Sequence, residues 1–223
     1  GDLKSRFVAM ASHEFRTPLS TILSSASLLA KYSLTEEQDK RDRHIQRIKS
    51  SVNNLTNILI EFLSVGKMED GMVTANNIEF NAKELLISIC NEMYGLLKSG
   101  QKISYKHKGD TNIFLDPSLL KNVLFNLLSN AIKFSGENSL VHFSGSVDEN
   151  SFEIIVKDEG IGMTHEDQEH LFERFFRGAN AVNIQGTGLG LHIVGKYLEI
   201  MNGNITVKSE LEKGTEITLI FNV

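Results

Sequence analysis

The chain has 223 residues, of which 41% are hydrophobic, so it is long enough for one full domain and a smaller one and apolar enough to bury a core. Lys and Arg number 23 against 28 Asp and Glu, and the formal charge of −5 is spread along the chain, which argues against a nucleic acid as partner. A single cysteine, Cys90, excludes an internal disulfide, and no apolar stretch reaches the roughly 18 residues that a membrane span needs. We therefore expect a soluble, cytoplasmic protein. Because the chain begins Gly1-Asp2, we also expect a piece of a longer protein whose membrane or sensory parts lie elsewhere.

Residues 1–66 predict a helical hairpin. Apolar residues recur at steps of three or four in two runs, from Leu3 to Leu29 and from Ile45 to Phe62. Between these runs, residues 32–38 break the periodicity with the signature of a helix cap. Two helices cover little of each other's apolar stripe, so we expect a homodimer in which two hairpins close a four-helix bundle. The alternative is a hairpin that packs only on its own second domain.

The next segment predicts a connector at residues 67–77 and a second domain at residues 78–223. The helical periodicity lapses there into Gly, Met, Asn and acidic residues, and helical and strand patterns alternate beyond it, which is typical of an α/β domain. Asp116-Pro117 predicts a helix start, with a capping carboxylate before a proline. The predicted helices are Ala82–Leu97, Pro117–Ile132, Glu166–Phe172 and Gly188–Met201, and the predicted strands are Ile103–Lys106, Ile113–Leu115, Leu140–Val147, Phe152–Val156, Asn204–Lys208 and Thr215–Val223.

His13 is the first candidate for chemistry. It is rotated away from the apolar stripe of its helix, so we expect an exposed imidazole, largely neutral at pH 7, with a ring nitrogen free to act as a nucleophile. Thr17 follows one turn later on the same face, where its hydroxyl could hold a water molecule. Adjacent residues on a helix do not face each other well, so spacing alone does not nominate Glu14 as a base.

Two glycine-rich segments of the second domain suit the binding of a nucleotide. The run Gly186-Thr187-Gly188-Leu189-Gly190-Leu191 precedes a predicted helix, and its backbone amides together with the amino end of that helix attract anions such as a triphosphate. Asp158, followed by Gly160 and Gly162, stands at the carboxyl end of a predicted strand, where open α/β sheets place ligands. An Asp-x-Gly sequence is also a common structural turn, so it carries weight only in this company.

A polar helix end completes the set of candidates. Asn126, Asn130, Lys133 and Phe134 are spaced four, three and one residues apart, which groups them at one end of a helix. An asparagine carbonyl is a hard oxygen ligand of the kind that Mg²⁺ accepts. The alternative interpretation is a helix whose polar residues simply face solvent.

Five segments together resemble the motifs of sensor histidine kinases. Residues 7–19, with His13-Glu14 and Thr17-Pro18-Leu19, resemble the family's phospho-acceptor box. In the family's order there follow the asparagine box at residues 126–135, the first glycine box at 158–163, the phenylalanine box at 172–177 and the second glycine box at 186–191. The resemblance implies an α+β multidomain fold, with a dimeric four-helix bundle followed by an α/β sandwich of the gyrase and histidine kinase type.

The resemblance also implies roles for single residues. Glu14 would accept or orient the ring proton of His13, and Thr17 would stand at the family's phosphatase position. Asn130 would be the magnesium ligand, with Asn126 beside it. At the base, Asp158 would accept a hydrogen bond from the adenine amino group, which favours ATP over GTP, and Phe134 would lie against the adenine. Gly160 and Gly162 would let the chain turn close to the base, and Thr215 would lie near the adenine. The residues implied around the phosphates are Lys133, Arg177, Gly186, Thr187, Gly188, Leu189, Gly190 and Leu191.

The function implied is that of an ATP-dependent protein-histidine kinase with ATP and Mg²⁺ as cofactors. His13 would take the γ-phosphoryl group and pass it to an aspartate of a response-regulator receiver domain, and Thr17 points to a phosphatase activity on that regulator. Two alternatives belong to other classes. A gyrase-like ATPase would need a glutamate where this chain has Asn126, and a catalytically inactive dimeric scaffold would dock the regulator without chemistry. The stimulus, the identity of the regulator and phosphorylation within or across the dimer stay open.

Overall fold

The computed structural model describes residues 2–223, and side chains from residue 5 onward. Gly1, where the predicted first domain begins, and the side chain of Leu3, the first position of the predicted apolar stripe, lie outside the described residues. The chain divides into two compact units, Gly1–Gly66 and Lys67–Val223. Within the described part of the chain, no helix combines the length and the apolar character that a membrane crossing requires.

The first unit is a pair of long helices, which confirms the predicted hairpin. Helix α1 spans Asp2–Leu29 and helix α2 spans Gln38–Glu69, with a short 3₁₀ turn at Thr35–Glu37 between them. Phe62 of α2 packs against α1, with its ring centroid 4.5 Å from that of Phe7 and 6.1 Å from that of Phe15. Because α2 continues to Glu69, the first three residues of the predicted connector are helical.

The hairpin leaves a row of large apolar side chains in contact with solvent. Ile45, Val52 and Leu59 of α2 stand seven residues apart and are 37%, 46% and 50% exposed. Residues spaced by seven lie on one face of a helix, so these three form a continuous stripe. Leu19 and Leu23 of α1 are also exposed.

The second unit contains a five-stranded sheet in the order β2-β4-β5-β7-β6. Strand β2 is parallel to β4, and all other neighbours are antiparallel. A separate two-stranded sheet pairs β1 with β3. The strands are β1 Ile78–Asn81, β2 Lys102–Gly109, β3 Asn112–Leu115, β4 Leu140–Val147, β5 Ser151–Asp158, β6 Asn204–Glu210 and β7 Gly214–Asn222. The six predicted strands are confirmed, and β1 is an additional strand.

Four helices accompany the sheet, and three of them bury their apolar faces in its core. They are α3 Ala82–Met93, α4 Pro117–Phe134, α5 His165–Glu169 and α6 Gly190–Ile200. The core includes the fully buried rings of Phe143, Phe152 and Phe221 on the strands and Leu120, Leu124 and Leu127 on α4. The burial of one helical face against a sheet is the layer arrangement expected for this class of fold.

Several of the predicted helix ends were wrong. Helix α3 stops at Met93 rather than at Leu97, because the chain tightens there into a 3₁₀ turn at Tyr94–Leu96, and α4 continues to Phe134 rather than stopping at Ile132. Helix α5 stops at Glu169 rather than at Phe172, because the next residue, His170, leaves helical geometry with φ −108° and ψ 3°, and its N–H donates to the carbonyl of Asp167 three residues back. Helix α6 begins at Gly190 rather than Gly188, because Gly188 has φ +72°, which no right-handed helix accommodates.

Asp116 caps α4, as predicted, and also holds the preceding segment. Its Oδ1 accepts hydrogen bonds from the backbone N–H groups of Ser118 and Leu119 at 2.9 and 3.0 Å. Its Oδ2 accepts a third from the N–H of Asn76 at 2.7 Å. The carboxylate therefore fixes where α4 begins relative to the incoming chain, and α4 carries the polar helix end described above.

Candidate functional site

His13 is exposed and in contact with a buried carboxylate. Its side chain is 71% exposed, and its Nδ1 lies 3.3 Å from Oε1 of Glu14, whose side chain is only 9% exposed. An ionised carboxylate can only accept, so this contact favours the tautomer with the proton on Nδ1 and a lone pair on Nε2. The prediction of an exposed imidazole is confirmed. The side chain of Glu14, which spacing alone did not nominate, nevertheless lies within contact distance of the ring.

Thr17 is exposed on α1, one turn after His13. The carbonyl of Thr17 accepts a hydrogen bond from Oγ1 of Thr21 at 3.1 Å. The structure thus places the Thr17 hydroxyl on the helix surface that follows the histidine, where an incoming protein or water molecule has access.

Asn126 of α4 faces the start of α6. Its Nδ2 donates to the carbonyl of Asn122 at 3.1 Å, which turns Oδ1 toward Gly190. A Cβ atom at Gly190 would lie 2.8 Å from that oxygen, so only glycine allows the two helices this approach. Asn130 follows one turn later on α4 and is half-buried. Two amide side chains therefore line the end of α4 beside the first residue of α6.

Lys133 connects α4 with the beginning of the second glycine segment. Its Nζ donates to the carbonyl of Gln185 at 3.0 Å and lies 4.9 Å from the ring centroid of Phe134. A Cβ atom at Gly186 would lie 3.1 Å from the same Nζ. The ammonium group thus stands at the entrance of the glycine segment, where it adds positive charge to a place already suited to anions.

Two residues that the sequence did not single out hold the end of α4. Nζ of Lys98 donates to the carbonyl of Lys133 at 2.8 Å and also to that of Ser135. Nε2 of Gln101 donates to the carbonyl of Ile132 at 3.2 Å. The last carbonyls of a helix lack partners within the helix and carry partial negative charge, so a cation there is stabilising. The only signal in the sequence is a polar residue after a predicted helix, which is too common to use.

Asp158 is a buried carboxylate at the end of β5. It is 9% exposed and accepts a hydrogen bond from the N–H of Gly160 at 2.8 Å. Burial raises the pKa of Asp158 to about 6, against the lowering effect of backbone hydrogen bonds from Gly160 and Thr215. Thr215 is its partner across the β5–β7 ladder, and Oγ1 of Thr215 lies 2.7 Å from Oγ of Ser209. Ser209 is a further polar group of this corner that the sequence did not indicate.

Gly160 and Gly162 are required by contacts within the protein itself. A Cβ atom at Gly160 would lie 2.6 Å from the carbonyl oxygen of Phe134. Gly162 has φ +61°, and a Cβ atom there would lie 1.9 Å from the carbonyl oxygen of Glu210. The turn that contains Gly160 and Gly162 therefore packs directly against the end of α4 and the end of β6. This packing brings Asp158 next to Phe134. The sequence predicted that these glycines let the chain come close to a nucleotide base. In the structure they also let it come close to the protein's own backbone.

The second glycine segment is shaped by its inward-facing residues. Thr187 is 4% exposed, and its Oγ1 accepts a hydrogen bond from the N–H of Leu189 at 3.1 Å. Leu189 is fully buried, so these two predicted contact residues shape the loop by packing and offer a ligand only their backbone. Among the described residues, no side chain accepts a hydrogen bond at the N-cap of α6. The N-cap residue Leu189 thus offers no acceptor of its own to the first N–H groups of α6, and free N–H groups at a helix start attract anions.

Arg177 organises the segment that we call the lid, residues 178–185. Its Nη2 donates to the carbonyls of Ala181 at 3.1 Å, Val182 at 2.9 Å and Ile184. The preceding residues 172–177, which we call the lid root, lead from α5 to the lid. The guanidinium thus gives an aperiodic segment a defined path, in addition to the phosphate contact that the sequence predicted for it.

The donor set suits a nucleotide triphosphate with Mg²⁺. Within residues 2–223, no group of three or more His, Cys, Asp or Glu side chains is placed to hold a metal ion. Amide oxygens such as those of Asn126 and Asn130, completed by phosphate oxygens and water, match the preference of Mg²⁺ for few protein ligands. Gly186 and Gly190 leave the room that a Cβ atom would fill beside Lys133 and Asn126.

Comparison with known proteins matches both units. Residues 3–71 match the His Kinase A (phospho-acceptor) domain, and residues 115–223 match the histidine kinase-, DNA gyrase B- and HSP90-like ATPase family. The sensor protein GacS of Pseudomonas syringae pv. syringae is 37% identical over 224 residues, covering 96% of this chain and 24% of GacS. The chain spans about a quarter of the length of the curated relatives that it matches.

Solved structures share the fold. Full-length ShkA in complex with AMPPNP has a TM-score of 0.70 and 26% identity, covering 97% of this chain and 45% of ShkA. The histidine kinase ThkA in complex with the response regulator protein TrrA has a TM-score of 0.69 and 22% identity, covering 100% of this chain and 61% of ThkA.

A phospho-acceptor domain followed by an α/β unit of the ATPase family is the domain combination found in the catalytic core of sensor histidine kinases. The five motifs, the two family matches and the relatives all converge on this class. The chain belongs to the sensor histidine kinases and comprises their catalytic core.

Proposed function

We propose that this chain transfers the γ-phosphoryl group of ATP to Nε2 of His13. The observation that carries the proposal is the contact between the exposed imidazole of His13 and the buried carboxylate of Glu14. This contact holds the ring proton on Nδ1 and points the nucleophilic lone pair of Nε2 away from the protein. The second unit supplies the donor, because its family is that of ATPases.

The proposed nucleotide site uses the groups that meet around the ends of α4 and α6. Asp158 accepts a hydrogen bond from the adenine amino group, Phe134 lies against the base, and Thr215 assists nearby. Lys133, Arg177 and the backbone amides of Gly186, Gly188 and Gly190 hold the phosphates. Asn130, with Asn126 beside it, holds Mg²⁺, which when bound neutralises charge on the phosphate oxygens.

The transfer step balances without any further reactant. The Nε2–phosphorus bond forms while the bond between the γ-phosphorus and the bridging oxygen breaks, and ADP leaves with the electron pair. The ring becomes positively charged at that moment, and the carboxylate of Glu14 stabilises the charge and accepts the Nδ1 proton. Since His13 and the nucleotide residues belong to different units, residues 67–77 must allow the units to approach each other.

Dimerisation and phosphotransfer to a regulator belong to the same proposal. A second copy covers the apolar stripe of Ile45, Val52 and Leu59 and completes a four-helix bundle, since exposed apolar rows of this kind mark association surfaces. The ThkA complex with a response regulator supports a partner of this kind, and we propose that a receiver domain of this partner takes the phosphoryl group on an aspartate. Thr17 would position water for the reverse, phosphatase reaction. We place the functional domains at residues 1–66 and 78–223, in the cytoplasmic part of a longer sensor.

The two alternative classes make different predictions. In a gyrase-like ATPase a carboxylate activates water beside the nucleotide, whereas Asn126 has an amide that cannot take a proton. An inactive scaffold needs neither the glycine contacts around Gly186 and Gly190 nor a carboxylate against His13.

The test is to incubate three proteins with γ-labelled ATP and Mg²⁺: the wild-type chain, His13→Gln and the matched control His165→Gln. His165 belongs to the other unit, and its side chain is 93% exposed. The proposal predicts acid-labile, base-stable label on the wild type and the control, and no label on His13→Gln. Free phosphate without bound label would support the ATPase instead. Label that survives in His13→Gln would overturn the assignment.

A further inference from the structure

A buried histidine near the proposed phosphate site makes two hydrogen bonds that depend on its protonation state. His192 lies in the first turn of α6 and is 9% exposed. Its Nδ1 lies 3.0 Å from the carbonyl oxygen of Phe172, and its Nε2 lies 3.2 Å from Nε of Arg174. A carbonyl only accepts and a guanidinium only donates. Both bonds exist together only when Nδ1 carries the proton and Nε2 carries the lone pair.

The residues that His192 holds belong to the lid root. A Cβ atom at Gly195, one turn after His192, would lie 3.4 Å from the ring of Phe172, so α6 contacts Phe172 at both its ring and its carbonyl. Phe175 has φ +63°, and its N–H donates to the carbonyl of Gly188 at 3.0 Å. The lid root is therefore attached to α6 on one side and to the second glycine segment on the other.

We propose that neutral His192 is a positioning residue for ATP, and that protonation of its Nε2 loosens the lid root and weakens ATP binding. His192 acts through Phe172 and Arg174, which fix where the lid begins relative to the glycine segment. The inference rests on the proposed function, because it takes that segment to hold the triphosphate.

The surroundings of His192 keep it neutral at physiological pH. Burial lowers the pKa of His192, and the positive charges of Arg174 and Lys196 lower it further, whereas the carbonyl of Phe172 and the carboxylate of Glu69 act in the opposite direction. Glu69 also forms an ion pair with Arg174. A proton on Nε2 would set a donor and a positive charge against the guanidinium and break that bond. The contact is therefore intact near pH 7 and is lost as the pH falls through the lowered pKa.

The tautomer can be measured without nucleotide and without kinase activity. A long-range nitrogen–proton NMR spectrum of the nitrogen-15-labelled chain reports which imidazole nitrogen carries the proton, and His192→Gln assigns the signal. We expect the Nδ1–H tautomer at pH 7, with a titration midpoint below the usual 6.5 of histidine. An Nε2–H tautomer, or a midpoint at or above 6.5, would overturn the proposal even if the chain is an active kinase.

The link to ATP is measured by equilibrium binding between pH 8 and pH 5.5. Glutamine offers one donor and one acceptor but does not titrate, so His192→Gln should bind within about threefold of the wild type at pH 8, and His192→Ala about tenfold more weakly. On acidification to pH 5.5 the wild type should lose affinity relative to His192→Gln by less than about tenfold, because the pKa of His192 lies below its usual 6.5 and the ring is only partly protonated there. Asp158 and the nucleotide titrate equally in both proteins, so the ratio of the two dissociation constants isolates His192.

His165→Gln is the matched control and should follow the wild-type curve at every pH. A ratio between wild type and His192→Gln that does not change with pH would refute the proposed coupling. Wild type that binds no ATP at any pH would refute the proposed function and this inference with it, whereas the tautomer spectrum reports on the geometry alone.

Discussion

Replacement of Asp158 by asparagine should make the nucleotide-free protein more stable while it weakens ATP binding. Asp158 is 9% exposed, and its pKa is raised from 3.8 to about 6 mainly by burial. A raised folded-state pKa means that ionisation costs more in the folded than in the unfolded protein. A shift of about 2 pKa units corresponds to about 3 kcal/mol of stability lost as the pH rises from 3.8 to about 6.

The net gain for the variant is smaller than this figure. Asparagine offers one acceptor oxygen where the carboxylate has two, and one backbone hydrogen bond lost from Gly160 or Thr215 costs about 1 kcal/mol. Asp158→Asn should therefore exceed the wild type by about 2 kcal/mol in the free energy of unfolding at pH 8. The difference should shrink below pH 6 and change sign near pH 4, because the folded wild type then keeps its proton and only the lost hydrogen bond, worth about 1 kcal/mol, separates the two proteins.

This difference can be measured by urea unfolding monitored by far-ultraviolet circular dichroism. Circular dichroism is suitable because the chain has no tryptophan for a fluorescence measurement. Glu159→Gln removes an exposed neighbouring charge and should change stability by less than about 0.5 kcal/mol at either pH. In the same proteins, ATP affinity should fall at least about tenfold for Asp158→Asn, because a charged acceptor for the adenine amine is lost. A variant that is less stable than the wild type at pH 8, or that binds ATP equally well, would refute the reasoning.

Three further substitutions or reactions test other parts of the structure. Asp116→Ala should lower the free energy of unfolding by about 2 kcal/mol in urea titrations, since three backbone N–H groups lose their acceptor. Asp116→Asn keeps one cap oxygen, so an equal loss for this variant would contradict the prediction. Gly188→Ala should abolish measurable ATP binding, because a Cβ atom at φ +72° would lie 2.7 Å from the backbone of Phe175, whereas Gly136→Ala, which meets nothing within 4 Å, should bind ATP as the wild type does. Burial raises the pKa of Cys90 to about 11, so a thiol reagent at pH 8 should modify the native chain at least about 100-fold more slowly than the urea-unfolded chain; comparable rates would show an accessible thiol.

The helices and most strands could be predicted because their signals are local. The apolar period of α1 and α2 and the Asp116-Pro117 cap of α4 each lie within a few consecutive residues. Strand β1 was missed because it has only four residues and pairs with β3, whose position along the chain is distant. The start of α6 was misplaced because the left-handed conformation of Gly188 is imposed by the neighbouring lid root and leaves no mark on periodicity.

The residues of the candidate site also fall into those that local sequence signals revealed and those that they did not. His13, Asp158 and the second glycine segment were found because the chemistry of each is written in a short run of residues. Lys98 was missed because it reaches carbonyls 35 and 37 residues later in the chain. His192 was missed because its partners come from a segment whose path follows no period. The residues that position a site are thus harder to read from the sequence than the residues that carry its chemistry.

In the proposed reaction, Nε2 of His13 receives the phosphoryl group while Glu14 holds the proton on Nδ1. Phosphorus-31 NMR of the chain after incubation with ATP and Mg²⁺, combined with mass spectrometry of its peptides, locates the modified atom directly. A single phosphoramidate on Nε2 of His13 is the expected product. A phosphoryl group on Nδ1, on another histidine, or on a hydroxyl or carboxyl group would contradict this expectation.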